Sequence, residues 1–119
     1  MQGLGDLEGA VMDVLWRSGR AMSVREVLTE LNSTRALAYT TVMTVLDNLH
    51  RKNWVARELQ NRAYLYTPRE NREEATTRVL RELLESSGDP KAVLLHFAQS
   101  ASDDEDAVIR RGLRQRSSQ

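Results

Sequence analysis

Tyr39-Thr40-Thr41-Val42-Met43-Thr44-Val45-Leu46-Asp47-Asn48-Leu49-His50-Arg51 is the stretch whose reading decides the fold. At helical spacing Val42, Val45, Leu46 and Leu49 share one stripe, while Thr40, Thr44, Asp47, Asn48 and Arg51 share the opposite face. The first stripe has to be buried. The second carries short hydroxyls, an amide and a cation, the groups that read base edges and grip phosphates. Directly downstream the period changes to two: Trp54 to Leu59 and Ala63 to Thr67 alternate as strands, joined by Gln60, Asn61 and Arg62. A reading helix followed by a hairpin with a basic tip is the order of a winged helix.

Working upstream, Leu7, Val11, Val14 and Leu15 repeat at helical spacing behind Asp6, read as the cap, and the run stops near Ser18-Gly19. Ser23-Val24-Arg25-Glu26 is a capping box that opens a second helix with Val24, Val27, Leu28 and Leu31 inward. Ser33 to Ala38 reads as the loop into the Tyr39 helix, so the second and third helices form a helix-turn-helix pair. Asn53, behind Arg51 and Lys52, can take the left-handed conformation that ends the third helix.

Downstream of Pro68 the pattern turns wholly helical. Asn71 with Glu74 caps a helix carrying Val79, Leu80, Leu83 and Leu84 that ends at Ser86-Ser87-Gly88. Asp89-Pro90 opens another with Val93, Leu94, Leu95 and Phe97, and Ser102 with Glu105 opens a third with Val108, Ile109 and Leu113. Some fifty residues are too few to bury three apolar faces within one chain. The expectation is a mainly α protein with a small β-hairpin wing: a winged helix-turn-helix head over 1–69 and a helical dimerisation arm over 70–119. Leu80, Leu83, Leu84, Val93, Leu94, Phe97, Val108, Ile109 and Leu113 are the arm residues expected against a second copy.

Composition narrows the classes further. With 119 residues, 40% of them hydrophobic, the chain supports one small core plus an appendage. It has no cysteine, which removes disulfides and thiolate metal sites, and its two histidines, His50 and His96, lie too far apart in sequence to suggest zinc. No cofactor is expected. No apolar run approaches the roughly 20 residues of a membrane span, and the start Met-Gln-Gly-Leu-Gly-Asp lacks a signal-peptide pattern, so a soluble, cytoplasmic protein is expected. The formal charge is zero but segregated: net +2 over residues 1–69, −6 over 70–106 and +4 over 107–119. Between Thr34 and Thr67, five cations (Arg35, Arg51, Lys52, Arg57, Arg62) outnumber Asp47 and Glu58, a local +3 on the helix and hairpin. That suits a few phosphate contacts per copy.

Threonine offers a hydroxyl and a methyl close to its helix, so Thr40, Thr41 and Thr44, with Met43, suit base edges and thymine methyls, and Asn48 adds an amide. Arg51 and Lys52 suit phosphate, and Arg62 suits phosphate or the minor groove. Tyr64 and Tyr66 share a strand face, and at least one should pack against the helices. The alternatives are a bland solvated threonine face, or a winged helix that binds protein and no DNA. No Ser-His-Asp spacing, cysteine nucleophile or phosphate-cradling glycine loop supports an enzyme. Asp103-Asp104-Glu105-Asp106 could hold a cation, but acids in the first turn of a capped helix are explained by its dipole.

Leu4-Gly5-Asp6-Leu7-Glu8, Val14-Leu15-Trp16, Val24-Arg25-Glu26-Val27, Ala38 to Leu46 and Arg62-Ala63-Tyr64 together resemble the BlaI/MecI family of penicillinase and methicillin-resistance repressors. The similarity is strong over residues 4–68, and the arm is similar in helix order and amphipathic pattern. It implies a homodimeric repressor with intertwined C-terminal helices, bound to inverted-repeat operators with TACA and TGTA half-sites and controlling β-lactamase or antibiotic-response genes. It also implies release by a membrane-bound sensor-protease that triggers cleavage of an Asn-Phe bond in the arm. Here His96-Phe97 stands at that position: Phe is kept and Asn is not. Copper-responsive relatives carry a cysteine-rich tail, which this chain lacks.

Overall fold

The computed structural model describes residues 3–117. Three helices, α1 (Asp6–Ser18), α2 (Val24–Leu31) and α3 (Tyr39–Arg51), precede a hairpin of β1 (Val55–Gln60) and β2 (Ala63–Pro68), and α4 (Arg72–Ser86), α5 (Pro90–Ser100) and α6 (Asp103–Ser117) follow. The α3 limits match the amphipathic reading because its inward stripe and its stop signal agree. Asn53 ends it in the left-handed region, at φ 64°. The strands pair antiparallel from Val55↔Pro68 to Gln60↔Ala63. Gln60 therefore belongs to the strand, and the turn is only Asn61 and Arg62. Both have positive φ, 51° and 68°, as a two-residue turn must to follow the strand twist.

Helix starts follow the caps with one correction. Asp6 is not the cap of α1: Gly5 is, and Asp6 is the first helical residue. The Gly5 amide donates to Glu8 Oε1 at 2.9 Å, so Glu8, three residues inside, satisfies the free donor and sets the start one residue earlier. At α2 the Ser23 amide donates to Glu26 Oε1 (3.0 Å) and the Glu26 amide donates to Ser23 Oγ (3.1 Å), the reciprocal box. Asn71 with Glu74, Asp89 with the Ala92 amide, and Ser102 with Glu105 cap α4, α5 and α6.

The core of the head is built from the predicted stripes, with Val11, Val27, Val42, Leu46 and Leu49 wholly buried, whereas Leu7 and Leu28 pack only at its edge. Met22, between α1 and α2, exchanges two backbone hydrogen bonds with Tyr66 (3.0 and 2.8 Å), adding a one-residue third strand that sequence reading missed. This seats Tyr66 in the core, while Tyr64, edge-on to it at 6.3 Å, stays at the surface.

The first compact unit runs to Val79 rather than stopping at 69, and the second covers residues 80–119. The two tryptophans explain the shift. Trp16 Nε1 donates to the Glu70 carbonyl (3.0 Å), and Arg72 stacks over the Trp16 ring at 4.9 Å while pairing with Asp13 at 2.9 Å. Arg78 stacks over Trp54 at 4.5 Å and pairs with Glu70 at 2.9 Å. Cation–π contacts of this kind, backed by the burial of Ala75 and Val79, bind the first two turns of α4 to the head.

In the second unit α5 buries none of its residues. Leu80, Leu83, Val93, Leu94, Phe97, Val108, Ile109 and Leu113 all stand exposed, and Leu84 is half-buried. A groove lined by Leu80, Leu83, Leu84, Val93, Leu94 and Phe97 is almost entirely apolar. No helix among the described residues is long and apolar enough to cross a membrane.

Candidate nucleic-acid interface

The α2–α3 connection fixes how α3 projects. Asn32 Oδ1 accepts the Leu37 amide at 3.0 Å across the loop, and the Arg25 guanidinium on α2 lies 5.5 Å from the Tyr39 ring centre at the start of α3. With Val42, Val45, Leu46 and Leu49 buried beneath, Thr40, Thr41, Met43 and Thr44 are all exposed, Met43 to 43%. Thr29 and Thr76 turn their hydroxyls back onto the carbonyls four residues earlier, at 3.0 and 2.7 Å. The hydroxyls of Thr40, Thr41 and Thr44 have no such partner among the described residues, so they remain available to an external donor or acceptor.

The polar end of α3 is a network. Asp47, at the centre of the outward face, pairs with Arg57 of β1 at 3.1 Å and with Arg51 at 3.5 Å. Arg51 also donates to the half-buried Asn48. Arg57 stacks over Tyr64 at 4.2 Å, and Tyr66 first and Asp47 second hold its pKa above the ordinary value. Asp47 thus ties α3 to the wing and holds two cations at the polar end of the helix. Sequence reading placed Asp47 outward and counted Arg57 among the cations suited to phosphate, but did not pair the two. The four-residue step to Arg51 was the legible signal, whereas Arg57 needed the hairpin to fold back.

Lys52 is not a free phosphate ligand in the unbound chain: its Nζ bonds Glu8 Oε1 at 2.8 Å. Burial pushes the Glu8 carboxyl up, but the Gly5 amide and then the Lys52 ammonium outweigh it and hold the group below the usual carboxylate range. A depressed folded pKa contributes stability above the unfolded value of about 4.3, lost as pH falls through the folded value. Glu8→Gln should therefore lower stability at pH 7 and flatten its decline in acid, as urea unfolding between pH 7 and pH 3 would register. An unaltered acid limb would show that Glu8 carries none of it. Arg62, by contrast, stands exposed at the tip of the wing.

An exposed threonine face, with Arg51 and Lys52 at the C-terminal end of α3 and an exposed arginine on the adjoining hairpin, carries the kinds of group that can read base edges and hold phosphates. The sequence pattern of the penicillinase repressor family matches residues 4–115. The chain belongs to that family. Transcriptional regulator BlaI of Mycobacterium tuberculosis is 43% identical over 113 residues, covering 92% of this chain and 82% of the relative. Among solved structures, the monomeric form of Bacillus licheniformis BlaI in complex with the blaP half-operator is similar at TM-score 0.50 and 28% identity, over 59% of this chain and 84% of that one. Bacillus subtilis YusO shares the fold at TM-score 0.52 and 21% identity, over 96% of this chain and 77% of that one. This penicillinase repressor homologue is accordingly a BlaI-like, DNA-binding transcriptional repressor of the winged-helix type, in a family of regulators rather than enzymes.

Proposed function

We propose that the chain represses transcription as a homodimer, each head placing α3 in one half of an inverted-repeat operator with TACA- and TGTA-like half-sites. The observation that carries this reading is the unpartnered hydroxyl face of α3, projected by a fully buried reverse side. Thr40, Thr41, Met43, Thr44 and Asn48 contact bases, and Arg51, Lys52 and Arg62 contact phosphates, Lys52 exchanging Glu8 for the DNA. The complex of Bacillus licheniformis BlaI as a monomer with a half-operator supports one head per half-site. The uncovered apolar residues of α4, α5 and α6 support pairing through the arm. The regulated genes are of the β-lactamase or antibiotic-response class.

Release follows from cutting the arm after a membrane-bound sensor-protease is triggered. His96-Phe97 lies inside α5, four residues from its end, so the bond becomes accessible only when that exposed helix unwinds. Incubation with the cognate sensor should yield a fragment ending at His96, and its absence would count against this bond.

Genomic fragments recovered with the purified protein should share a two-fold element; asymmetric single sites would contradict the dimeric reading. Affinity for that element should fall steeply with salt, and Arg51→Ala should reduce the log–log slope by about 1 through one fewer released counterion. A salt-insensitive complex would point to a protein-binding winged helix.

A further inference from the structure

At about 100° per residue, Glu105, Val108, Ile109, Gly112, Leu113 and Arg116 of α6 fall within one arc of about 140°, while Arg110, Arg111 and Arg114 lie outside it. Val108 and Ile109 are 56% and 43% exposed in the centre of the stripe, with an acid at one end and a cation at the other. Gly112 interrupts an otherwise helical interior, where glycine weakens a helix. Nothing among the described residues calls for it: a Cβ there would meet none of their atoms within 4 Å, and its φ is not positive.

We propose that α6 pairs antiparallel with α6 of a second copy, with Glu105 opposite Arg116 of the other chain and Ile109 seated over its Gly112. One register brings Glu105 opposite Arg116, Val108 opposite Leu113 and Ile109 opposite Gly112 simultaneously, each contact occurring twice across the two-fold axis. The missing Cβ provides room for the isoleucine. A parallel pairing sets Glu105 against Glu105 and Arg116 against Arg116, like charges on both ends of the stripe. Glu105 already accepts the Ser102 amide through Oε1, which leaves Oε2 for an arginine. Glu26 combines those bonds within this molecule: Oε1 takes the Ser23 amide at 3.0 Å and Oε2 takes Arg20 at 2.6 Å.

The pairing rests on the dimeric reading above and adds its polarity and register. The chain has no cysteine, so introduced thiols report directly. Antiparallel helices hold two Glu105 positions about 16 Å apart along the axis, beyond reach of a disulfide. Glu105→Cys alone and Arg116→Cys alone should stay unlinked on oxidation, whereas their equimolar mixture should give a covalent dimer. Glu105→Arg or Arg116→Glu should weaken dimerisation roughly two- to thirtyfold, and the double swap should restore it. A native chain that sediments as a monomer overturns the dimer and the pairing together. A native dimer in which Glu105→Cys links to itself, or in which the mixture does not link, overturns the pairing alone.

Discussion

Phe97→Asp and Leu83→Asp are each expected to give monomers whose affinity for a two-fold operator is lower by about 10²–10⁴. Both side chains line the apolar groove of the second unit and are about half exposed in the single chain, 53% and 48%. An aspartate there is therefore solvated in the monomer and penalised only when a second copy covers it. The loss arises because two linked heads bind their half-sites at a high effective concentration, whereas separated heads bind independently. The head's own contacts are untouched, so thermal unfolding of that unit and weak half-site binding should both persist. Sedimentation showing unchanged dimers for both variants would defeat the arm as the dimer contact.

Leu46→Ala is expected to destabilise the head by about 2–5 kcal/mol, a large share of the roughly 5–15 kcal/mol typical of a domain. Leu46 is wholly buried on the reverse side of α3, in a core too small for neighbours to fill the cavity fully. Thr44→Ala changes the other side of the same turn. Its hydroxyl has no partner among the described residues, so stability should stay within about 0.5 kcal/mol of the native value while operator affinity falls by about 1–3 kcal/mol. Denaturant unfolding and operator titration of the two variants separate the supporting face from the reading face. If Thr44→Ala unfolded the head as readily as Leu46→Ala, α3 would not be projecting that face.

Much of the fold was legible because its signals are local. The α3 stripe, the Ser23–Glu26 box, the Asn71, Asp89 and Ser102 caps and the Asn61-Arg62 turn each act within about four residues, the range over which periodicity and capping operate. The misread start of α1 was a contest between neighbouring local signals, which the Glu8 carboxylate decided by reaching Gly5. The exposure of the threonine face was legible for the same reason: burying one stripe of a helix forces the opposite stripe outward.

What lay beyond the pattern are contacts between residues far apart along the chain. Lys52 meets Glu8 across 44 positions, Trp16 meets Glu70 across 54 and Arg72 meets Asp13 across 59. Those contacts carry the head into α4 as far as Val79 and withhold a predicted phosphate ligand in the free chain. The Met22–Tyr66 bridge and the Asp47–Arg57 clasp set the wing beside α2 and α3 in the same way. Helix identity, caps and the exposed threonine row follow from short-range hydrogen bonding and hydrophobic spacing. The partner of each charge and the extent of the head follow from the folded chain, because an ion pair or a ring stack forms only after packing has brought remote side chains within a few ångströms.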